Sequence, residues 1–297
     1  MTMLFLASCS STTPPVVQKP SGFDSNFNYL LPVGNIRALA ASSGEQYVLW
    51  LRLRTDSGLV WNSVPLTVPY RLPNDSLKWY GNLTLHESPD SIVLAVLSIE
   101  PMVIPATPTS KLIAGAFTGG SANAASLTAT DSNGIGDYSN ASGSVIFTTK
   151  SADTNRAKQE FYLMHLNNGV TTASIQNLPI PKAGWTYGLW VLDSNFYPMH
   201  QFFYGYFSDA AGPDSEPSDN EYPFPGGFKP PMLNDPGARL EVTLEPTFAV
   251  RSNAPLAPSP MPVLWVQLQR FLDFNQSLDL QNAWPASSPS GRLTIYQ

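Results

Sequence analysis

The chain has 297 residues, a net charge of −6 and a pI near 5.0, and only 13% of its residues are charged. Its Lys and Arg residues are scattered singly, so the sequence lacks the basic stripe that a nucleic-acid phosphate backbone requires. With 28 prolines, 20 glycines and 11% aromatic residues, it favours short strands joined by turns over helices. We therefore expect a largely β structure and no nucleic-acid partner.

We predict that residues 1–19 are the remnant of a lipid-modification signal and a flexible, disordered tether. Cys9 is the only cysteine of the chain and ends the run Leu6-Ala7-Ser8-Cys9, which resembles the lipobox of bacterial lipoproteins. The polar, proline-rich residues that follow are typical of a tether between a lipid and a folded domain. The sequence thus predicts membrane attachment through lipid on Cys9, and Ser10 favours the outer membrane or cell surface over the inner membrane.

The segment before Cys9 departs from a complete signal peptide. It has no Lys or Arg, and its apolar run covers only Met3 to Ala7, whereas signal peptides carry a positive region and about 7–15 apolar residues. We expect that Met1 is an internal methionine and that the true start lies upstream. The alternative is an ordinary N-terminal cysteine, in which case the predicted anchor and compartment are both wrong.

A sequence repeat divides the rest of the chain into two modules. The landmarks recur in the same order: an aromatic strand with a central tryptophan, a Glu-Pro pair, a proline-rich stretch and an apolar run. The matching segments are 46–51 with 186–191, 97–101 with 242–246, 107–109 with 257–260, and 112–114 with 263–266. Segments rich in Gly, Ser and Asn between residues 119 and 137 mark the break. We place the boundary near residue 138, which gives modules at 20–138 and 139–297.

Hydrophobic periodicity predicts that both modules are built of strands. Leu240, Val242 and Leu244 alternate with polar residues, which is typical of a strand with one face in water. The segments 92–97 and 187–192 are apolar on both faces and predict central strands that are covered on each side. Many short strands separated by turn residues are typical of antiparallel sandwiches. The predicted fold class is all-β, with two tandem immunoglobulin-like antiparallel β-sandwich modules after the tether.

The second module carries the clearest family resemblance. Its run 178–193, LPIPKAGWTYGLWVLD, is similar to the LPxLPxGWxYxxWVVD run of the extracytoplasmic anti-sigma-K-factor-like domain. Residues 222–228 and 244–246 stand where that family has its PYPGxDF and IEP segments, and residues 111–117 resemble the LLAGDF run of its tandem lipoprotein members. The resemblance implies this fold and a place outside the cytoplasmic membrane. It does not extend to the sigma-binding segment and transmembrane helix of anti-sigma factors, and it carries over no catalytic or ligand residues.

Candidate catalytic and metal sites are sparse. The histidines, His86, His165 and His200, lack a second His or Cys at the spacing of a zinc site. The sequence has no G-x-S-x-G run and no Gly-rich phosphate loop before a helix. We therefore expect a non-catalytic protein without a cofactor. A hydrolase whose Ser-His-Asp triad is assembled from distant residues is an alternative hypothesis.

The loop from Asp209 to Phe228 is the candidate binding surface. Its proline-rich end carries three aromatic residues that, if exposed, could stack on a glycan or a partner protein: Tyr222, Phe224 and Phe228. Its carboxylates are Asp209, Asp214, Glu216, Asp219 and Glu221, of which all but the first are candidate calcium ligands. A simply solvated loop is the alternative interpretation.

These features predict a cell-envelope lipoprotein with a binding, sensing or structural role. Its partners are expected to be the membrane, through the lipid anchor, and an envelope protein or a glycan. The competing hypotheses are a regulatory partner in an extracytoplasmic anti-sigma-factor pathway and the hydrolase with a dispersed triad.

Overall fold

The computed structural model describes residues 25–39, 43–73, 76–117, 123–148, 160–193, 199–212, 225–228, 238–250, 257–268 and 275–296. These residues fold mainly as strands joined by turns. The strands are β1 (Ser25–Gly34), β2 (Glu45–Thr55), β3 (Gly58–Pro65), β4 (Tyr70–Leu72), β5 (Ser76–Leu85), β6 (Ile92–Pro101), β7 (Ser110–Ala116), β8 (Ala124–Thr128), β9 (Gly143–Thr148), β10 (Glu160–Tyr162), β11 (Met164–Asn167), β12 (Val170–Ala173), β13 (Trp185–Asp193), β14 (His200–Phe207), β15 (Gly226–Phe228), β16 (Ala238–Pro246), β17 (Pro262–Gln267), β18 (Gln276–Asn282) and β19 (Ser290–Tyr296). The helices described are short, namely α1 (Thr247–Val250), α2 (Trp284–Ser287) and a 3-10 turn at Pro89–Ser91.

The strands form two large antiparallel sheets. Within the described residues, the first sheet has the order β3-β2-β6-β7-β8-β19-β1-β5-β4, and the second has the order β14-β13-β16-β17-β18-β9-β10-β15. Each sheet curls until distant strands meet. The ring centroids of Tyr47 on β2 and Trp79 on β5 are 5.3 Å apart, and those of Phe161 on β10 and Tyr204 on β14 are 5.0 Å apart. The prediction of an all-β antiparallel fold is confirmed.

The two sheets have the same strand order. In the first sheet β3, β2, β6, β7, β8, β19, β1 and β5 correspond in turn to β14, β13, β16, β17, β18, β9, β10 and β15 of the second. One pair breaks the chain order: β19 lies in the first sheet between β8 and β1, where its counterpart β9 lies in the second sheet between β18 and β10. We call β1–β9 the first half and β10–β19 the second half. Each half therefore contributes its final strand to the sheet of the other half.

The correspondence extends to single residues. Trp50 on β2 pairs with Val96 on β6, and Trp190 on β13 pairs with Glu241 on β16. Four residues earlier on β2 and β13, Gln46 pairs with Glu100 and Thr186 pairs with Glu245. The next strands, β7 and β17, both pair with a register shift at the same place, after Leu97 and after Val242. The matching segments of the sequence repeat thus occupy matching positions in the two sheets.

Equivalent tyrosines fix the chain just before each central strand. The hydroxyl of Tyr47 donates to the carbonyl of Arg37 at 2.8 Å, and the hydroxyl of Tyr187 donates to the carbonyl of Pro179 at 2.5 Å. Both rings are buried in the main core. Each tyrosine therefore ties the segment that precedes its own strand to that strand, which lies next to the sheet edge.

The central strands are apolar on both sides because both of their faces are covered. On β2, Leu49 and Leu51 point into the main core. Trp50 points to the opposite face and joins a smaller cluster with Val96, against which Ile104 of the connection after β6 is packed. The proline-rich segments of the repeat therefore serve as covers for the outer faces of the sheets.

The two sheets contact each other through the connections between them. The rings of Tyr138 and Trp284, each in the segment that leads to an exchanged strand, lie 4.8 Å apart in an edge-to-face arrangement. The hydroxyl of Ser110 donates to the carbonyl of Gly184 at 2.9 Å. The main core cluster includes buried residues of both sheets. The halves are consequently packed against each other as well as joined by the exchanged strands.

The predicted modules differ from the sheets in their composition. The boundary at residue 138 falls in the connection between β8 and β9, but the predicted module 139–297 includes β19, which lies in the first sheet. Hydrogen bonding runs through each sheet without a break, whereas an immunoglobulin domain divides its strands between two sheets. The immunoglobulin-like form of the modules stays a prediction. The predicted tether, residues 1–19, lies outside the described residues.

Candidate functional site

The tryptophans and glutamates of the sequence repeat form buried hydrogen-bonded clusters on the outer faces of the sheets. In the second sheet, Trp190 Nε1 donates to Glu245 Oε1 at 3.0 Å, and the backbone N–H of Ser259 donates to the same oxygen at 3.0 Å. The hydroxyl of Thr243 is a third donor at 2.5 Å. Burial raises the pKa of Glu245 to about 8, although these donors oppose the shift.

The first sheet has a related cluster with a different partner for the indole. Trp50 Nε1 donates to the hydroxyl of Ser98 at 2.8 Å, and Glu100 accepts the backbone N–H of Thr109 at 2.8 Å. Both glutamates are fully covered, at 0% exposure for Glu100 and 1% for Glu245. The repeat landmarks therefore hold the covering loops in place, which is a structural role, and they present no group to a ligand.

An uncovered face of the first sheet is the strongest candidate for binding. We call the outward side of β4, β5, β1 and β19 the tyrosine face. Tyr70, Tyr80 and Tyr296 on this side are 61%, 56% and 48% exposed, while the inward neighbours Trp79 and Ile295 are buried. Strand alternation explains the contrast, because successive side chains point to opposite faces.

Two of the tyrosines lie next to each other on this face, and the third lies two strands away. Tyr70 and Tyr80 lie on adjacent strands with ring centroids 5.5 Å apart, and their hydroxyl oxygens are 3.4 Å apart. Tyr80 is opposite Leu30 on β1, and Tyr296 on β19 is opposite Asn28 of the same strand. Strand spacing and rise therefore put Tyr80 and Tyr296 roughly 12 Å apart at their Cα atoms. The face offers two aromatic positions separated by a strip of polar side chains.

The rest of the face is made mostly of amides, hydroxyls and cations, together with the apolar Leu30, Pro32 and Leu72. The polar residues on the outward side are Asn26, Asn28, Ser76, Asn82, Thr84, Ser290 and Thr294. Lys78 lies opposite Tyr70, and Arg292 lies on β19. The outward positions that the structure describes on these four strands include no Asp or Glu. This face therefore combines flat apolar rings with hydrogen-bonding groups and positive charge.

The loop predicted as a binding surface is largely outside the described residues. This holds for Tyr222, Phe224 and the candidate calcium ligands Asp214, Glu216, Asp219 and Glu221. The backbone of Phe228 belongs to β15 and pairs with Phe161 on β10. The end of the loop is therefore an edge strand of the second sheet. Cys9, the predicted lipidation site, also lies outside the described residues.

Groups that could perform chemistry are scattered in the described part of the chain. There, no three His, Cys, Asp or Glu residues are grouped in a way that could hold a metal ion. Ser144 Oγ lies 3.4 Å from His165 Nδ1, but among the described contacts of this imidazole there is no carboxylate. The carbonyls of Asp131 and Gly134 in an acidic turn accept from the ammonium group of Lys182, at 3.4 and 2.7 Å.

The comparisons give no relative. No family model, no curated protein and no solved structure matches this chain. In the described residues, no helix is both long and apolar enough to cross a membrane.

The sequence pattern alone does not reveal the tyrosine face. The available signal was the alternation along β5, where Lys78, Tyr80 and Asn82 are interleaved with Leu77, Trp79 and Leu83. This pattern predicts a strand with one aromatic residue on each side. It does not show that the outer side stays uncovered, because that depends on which strands lie next to β5.

Proposed function

We propose that this chain is a non-catalytic binding protein of the cell envelope, attached to a membrane by lipid on Cys9, and that its tyrosine face holds an anionic glycan. The observation that supports the binding role is the exposure of Tyr70, Tyr80 and Tyr296 on one face of the first sheet. Exposed aromatic residues on one surface mark sites of interaction in soluble proteins. A tyrosine ring can stack on the C–H face of a sugar while its hydroxyl bonds to a neighbouring hydroxyl group.

The charge of the tyrosine face favours an anionic ligand over a neutral one. Lys78 and Arg292 are its charged residues at the described outward positions, and both are positive. The chain as a whole carries a net charge of −6. A local positive region on a negative protein attracts anions to that region and repels them elsewhere. A polysaccharide with carboxylate groups therefore fits the face better than an uncharged one.

Binding to polygalacturonate, with dextran as the uncharged comparison, tests this proposal. We expect the protein to bind polygalacturonate and not dextran in isothermal titration calorimetry, with an affinity that falls as salt is added. Tyr80→Ala should weaken the binding about tenfold, since an exposed aromatic anchor is lost. Ile180→Ala, which removes an 85% exposed apolar side chain outside the face, is the matched control. Lys78→Gln should reduce the dependence on salt.

The same experiment separates the tyrosine face from the loop predicted at residues 209–228. Deletion of residues 213–220 should leave polygalacturonate binding and the thermal midpoint nearly unchanged if the tyrosine face is the site. Loss of binding in this deletion, with full binding in Tyr80→Ala, would assign the site to the loop. Binding of an envelope protein that Tyr80→Ala weakens, without any glycan binding, would assign the face to a protein partner.

The lipid anchor is tested by expressing the gene together with the genomic sequence that lies upstream of the codon for Met1. The protein should be found in the membrane fraction and should incorporate a fatty-acid label, because two or more acyl chains give stable anchoring. Cys9→Ala should release it and abolish the label. Equal labelling of both proteins contradicts the anchor. The anti-sigma and hydrolase hypotheses are not adopted, since the described residues contain no arrangement that favours either.

A further inference from the structure

A cleft at the contact between the two halves has features that the tyrosine face does not share. Its volume is about 440 Å³, and it lies between the outer side of β16 and β17, the segment after β1, and α2. Its charged lining residues are Arg37 of the first half and Arg239 and Glu241 of the second, and Trp265 forms part of its wall. The cleft therefore exists only where the halves are packed together.

The two sheets differ at the positions that line this cleft. By register, Arg239, Glu241 and Trp265 of the second sheet correspond to Leu94, Val96 and Ala114 of the first. In the first sheet these residues form an apolar cluster around a buried tryptophan. The apolar version is the simpler way to cover an outer face, because it leaves no charge to be compensated. The second sheet instead carries an acid, a base and a large aromatic ring at the same places.

The charges in the cleft leave an excess of positive charge. Arg239 Nη2 lies 2.5 Å from Glu241 Oε1, and Glu241 is only 3% exposed. Burial raises the pKa of this carboxyl group, and the charges of Arg239 and Arg37 oppose that shift, so both guanidinium groups act on it. One carboxylate balances one guanidinium. Arg37, whose side chain is exposed at the other wall of the cleft, is left with its charge directed at the same space.

We propose that this cleft is a binding site for a small carboxylate ligand, whose anionic group sits between Arg37 and Arg239 and whose ring packs on Trp265. A guanidinium group is planar and binds a carboxylate through two parallel hydrogen bonds. Glu241 orients Arg239 for this contact and repels a second negative group, which limits the ligand to one carboxylate at this depth. The site is separate from the tyrosine face and does not depend on the function proposed for that face.

The test uses the full chain with glucuronate, benzoate and acetate as probes, and with glucose as a ring without a carboxylate. In isothermal titration calorimetry, glucuronate or benzoate should bind more tightly than acetate, and glucose should not bind. Arg37→Gln should weaken the binding about tenfold or more, the effect of losing a charge-assisted pair. Because Arg37 is exposed, this variant should keep the wild-type thermal midpoint. Arg54→Gln, which removes an exposed guanidinium on β2, is the matched control and should bind like the wild type.

The proposal is overturned by the absence of binding for all three carboxylates, by equal binding of glucose and glucuronate, or by an unchanged affinity in Arg37→Gln. Tyr80→Ala should not alter the affinity for glucuronate. If it does, the small carboxylate is bound on the tyrosine face, and the assignment to the cleft is wrong. A failure of polygalacturonate binding with intact glucuronate binding would count against the tyrosine face alone.

Discussion

Glu100 and Glu245 hold equivalent positions in two sheets, and each carboxylate accepts a backbone N–H from the proline-rich segment that follows its own strand. The donors are Thr109, at 2.8 Å, and Ser259, at 3.0 Å. A buried carboxylate in this place satisfies the backbone of a loop that covers the outer face of the sheet. In the Glu-Pro pair that recurs in the sequence, the glutamate therefore holds the loop against the sheet, and the proline ends the strand where the loop begins.

The stability of the protein should fall as the pH rises through the titration of Glu245. Burial raises the pKa of this group from 4.5 to about 8, so its contribution is fully present below about pH 4.5 and is lost as the pH rises through 8. Glu45, whose pKa burial raises to about 7, acts in the same direction. Glu245→Gln should flatten the decline between about pH 5 and 9, where one such group contributes at most about 1.4 kcal/mol per pH unit.

Urea denaturation at a series of pH values measures this effect. Asp56→Asn, a change to an exposed carboxylate in the turn between β2 and β3, is the control and should reproduce the wild-type slope. Parallel stability curves for Glu245→Gln and the wild type would contradict the role of Glu245.

Trp190 should contribute both packing and a hydrogen bond to the second sheet. Trp190→Ala should cost roughly 3–5 kcal/mol in the free energy of unfolding, since the indole is 1% exposed and its removal leaves a cavity. Trp190→Phe retains part of the ring but removes the Nε1–H donor to Glu245, so it should cost less. Chemical denaturation and near-ultraviolet circular dichroism measure both. A smaller loss in Trp190→Ala than in Trp190→Phe would show that burial of this ring is not a source of stability.

Two equivalent glycines provide a matched test of close packing between the halves. Gly44 and Gly184 both have positive φ, 69° and 90°, so alanine is strained at each and should cost about 1–2 kcal/mol. A Cβ atom at Gly184 would lie 2.1 Å from the carbonyl oxygen of Thr109. A Cβ atom at Gly44 would have no neighbouring atom within 4 Å. Gly184→Ala should therefore lower the thermal midpoint much more than Gly44→Ala. Equal shifts in the thermal midpoint would show that the backbone at Thr109 can move away from Gly184 at little cost in stability.

The halves should stay associated when the chain between them is cut. A protease site inserted within residues 149–159, between β9 and β10, can be cleaved after the protein has folded. Because each half supplies an internal strand of the other half's sheet, the fragments should elute together in gel filtration and separate only in denaturant. Elution as two separate species in native buffer would mean that the exchanged strands do not hold the halves together.

The positions of individual residues could be predicted where they depend on contacts between residues that are close in the sequence. The repeat is visible in the sequence because Trp50 and Glu100 of the first copy recur as Trp190 and Glu245 of the second. In both copies the glutamate binds the backbone of the loop that follows its own strand. The place of β19 was not predictable, since its alternation of Leu293 and Ile295 with polar residues describes a strand but does not identify its neighbours.

The candidate sites were missed for the same physical reason. The cleft joins Arg37 to Glu241, which are far apart in the chain and belong to different halves. The tyrosine face joins β5 to β19 through β1. Each surface depends on which strands become neighbours, and hydrophobic patterns determine only which side of a strand is buried. The aromatic loop at residues 222–228 could be proposed from the sequence because its aromatic residues lie close together along the chain.

The position of β19 has a consequence for how the protein is made. Leu30 on β1 pairs with Thr294 on β19, so the first sheet needs a strand from near the end of the sequence. During synthesis, β1 to β8 emerge first, and the gap between β8 and β1 stays open until residues 290–296 have followed. The second sheet takes all of its strands from one continuous stretch, β9 to β18. The part of the chain that emerges first is therefore completed last, and until then its open strand edges need protection from other chains.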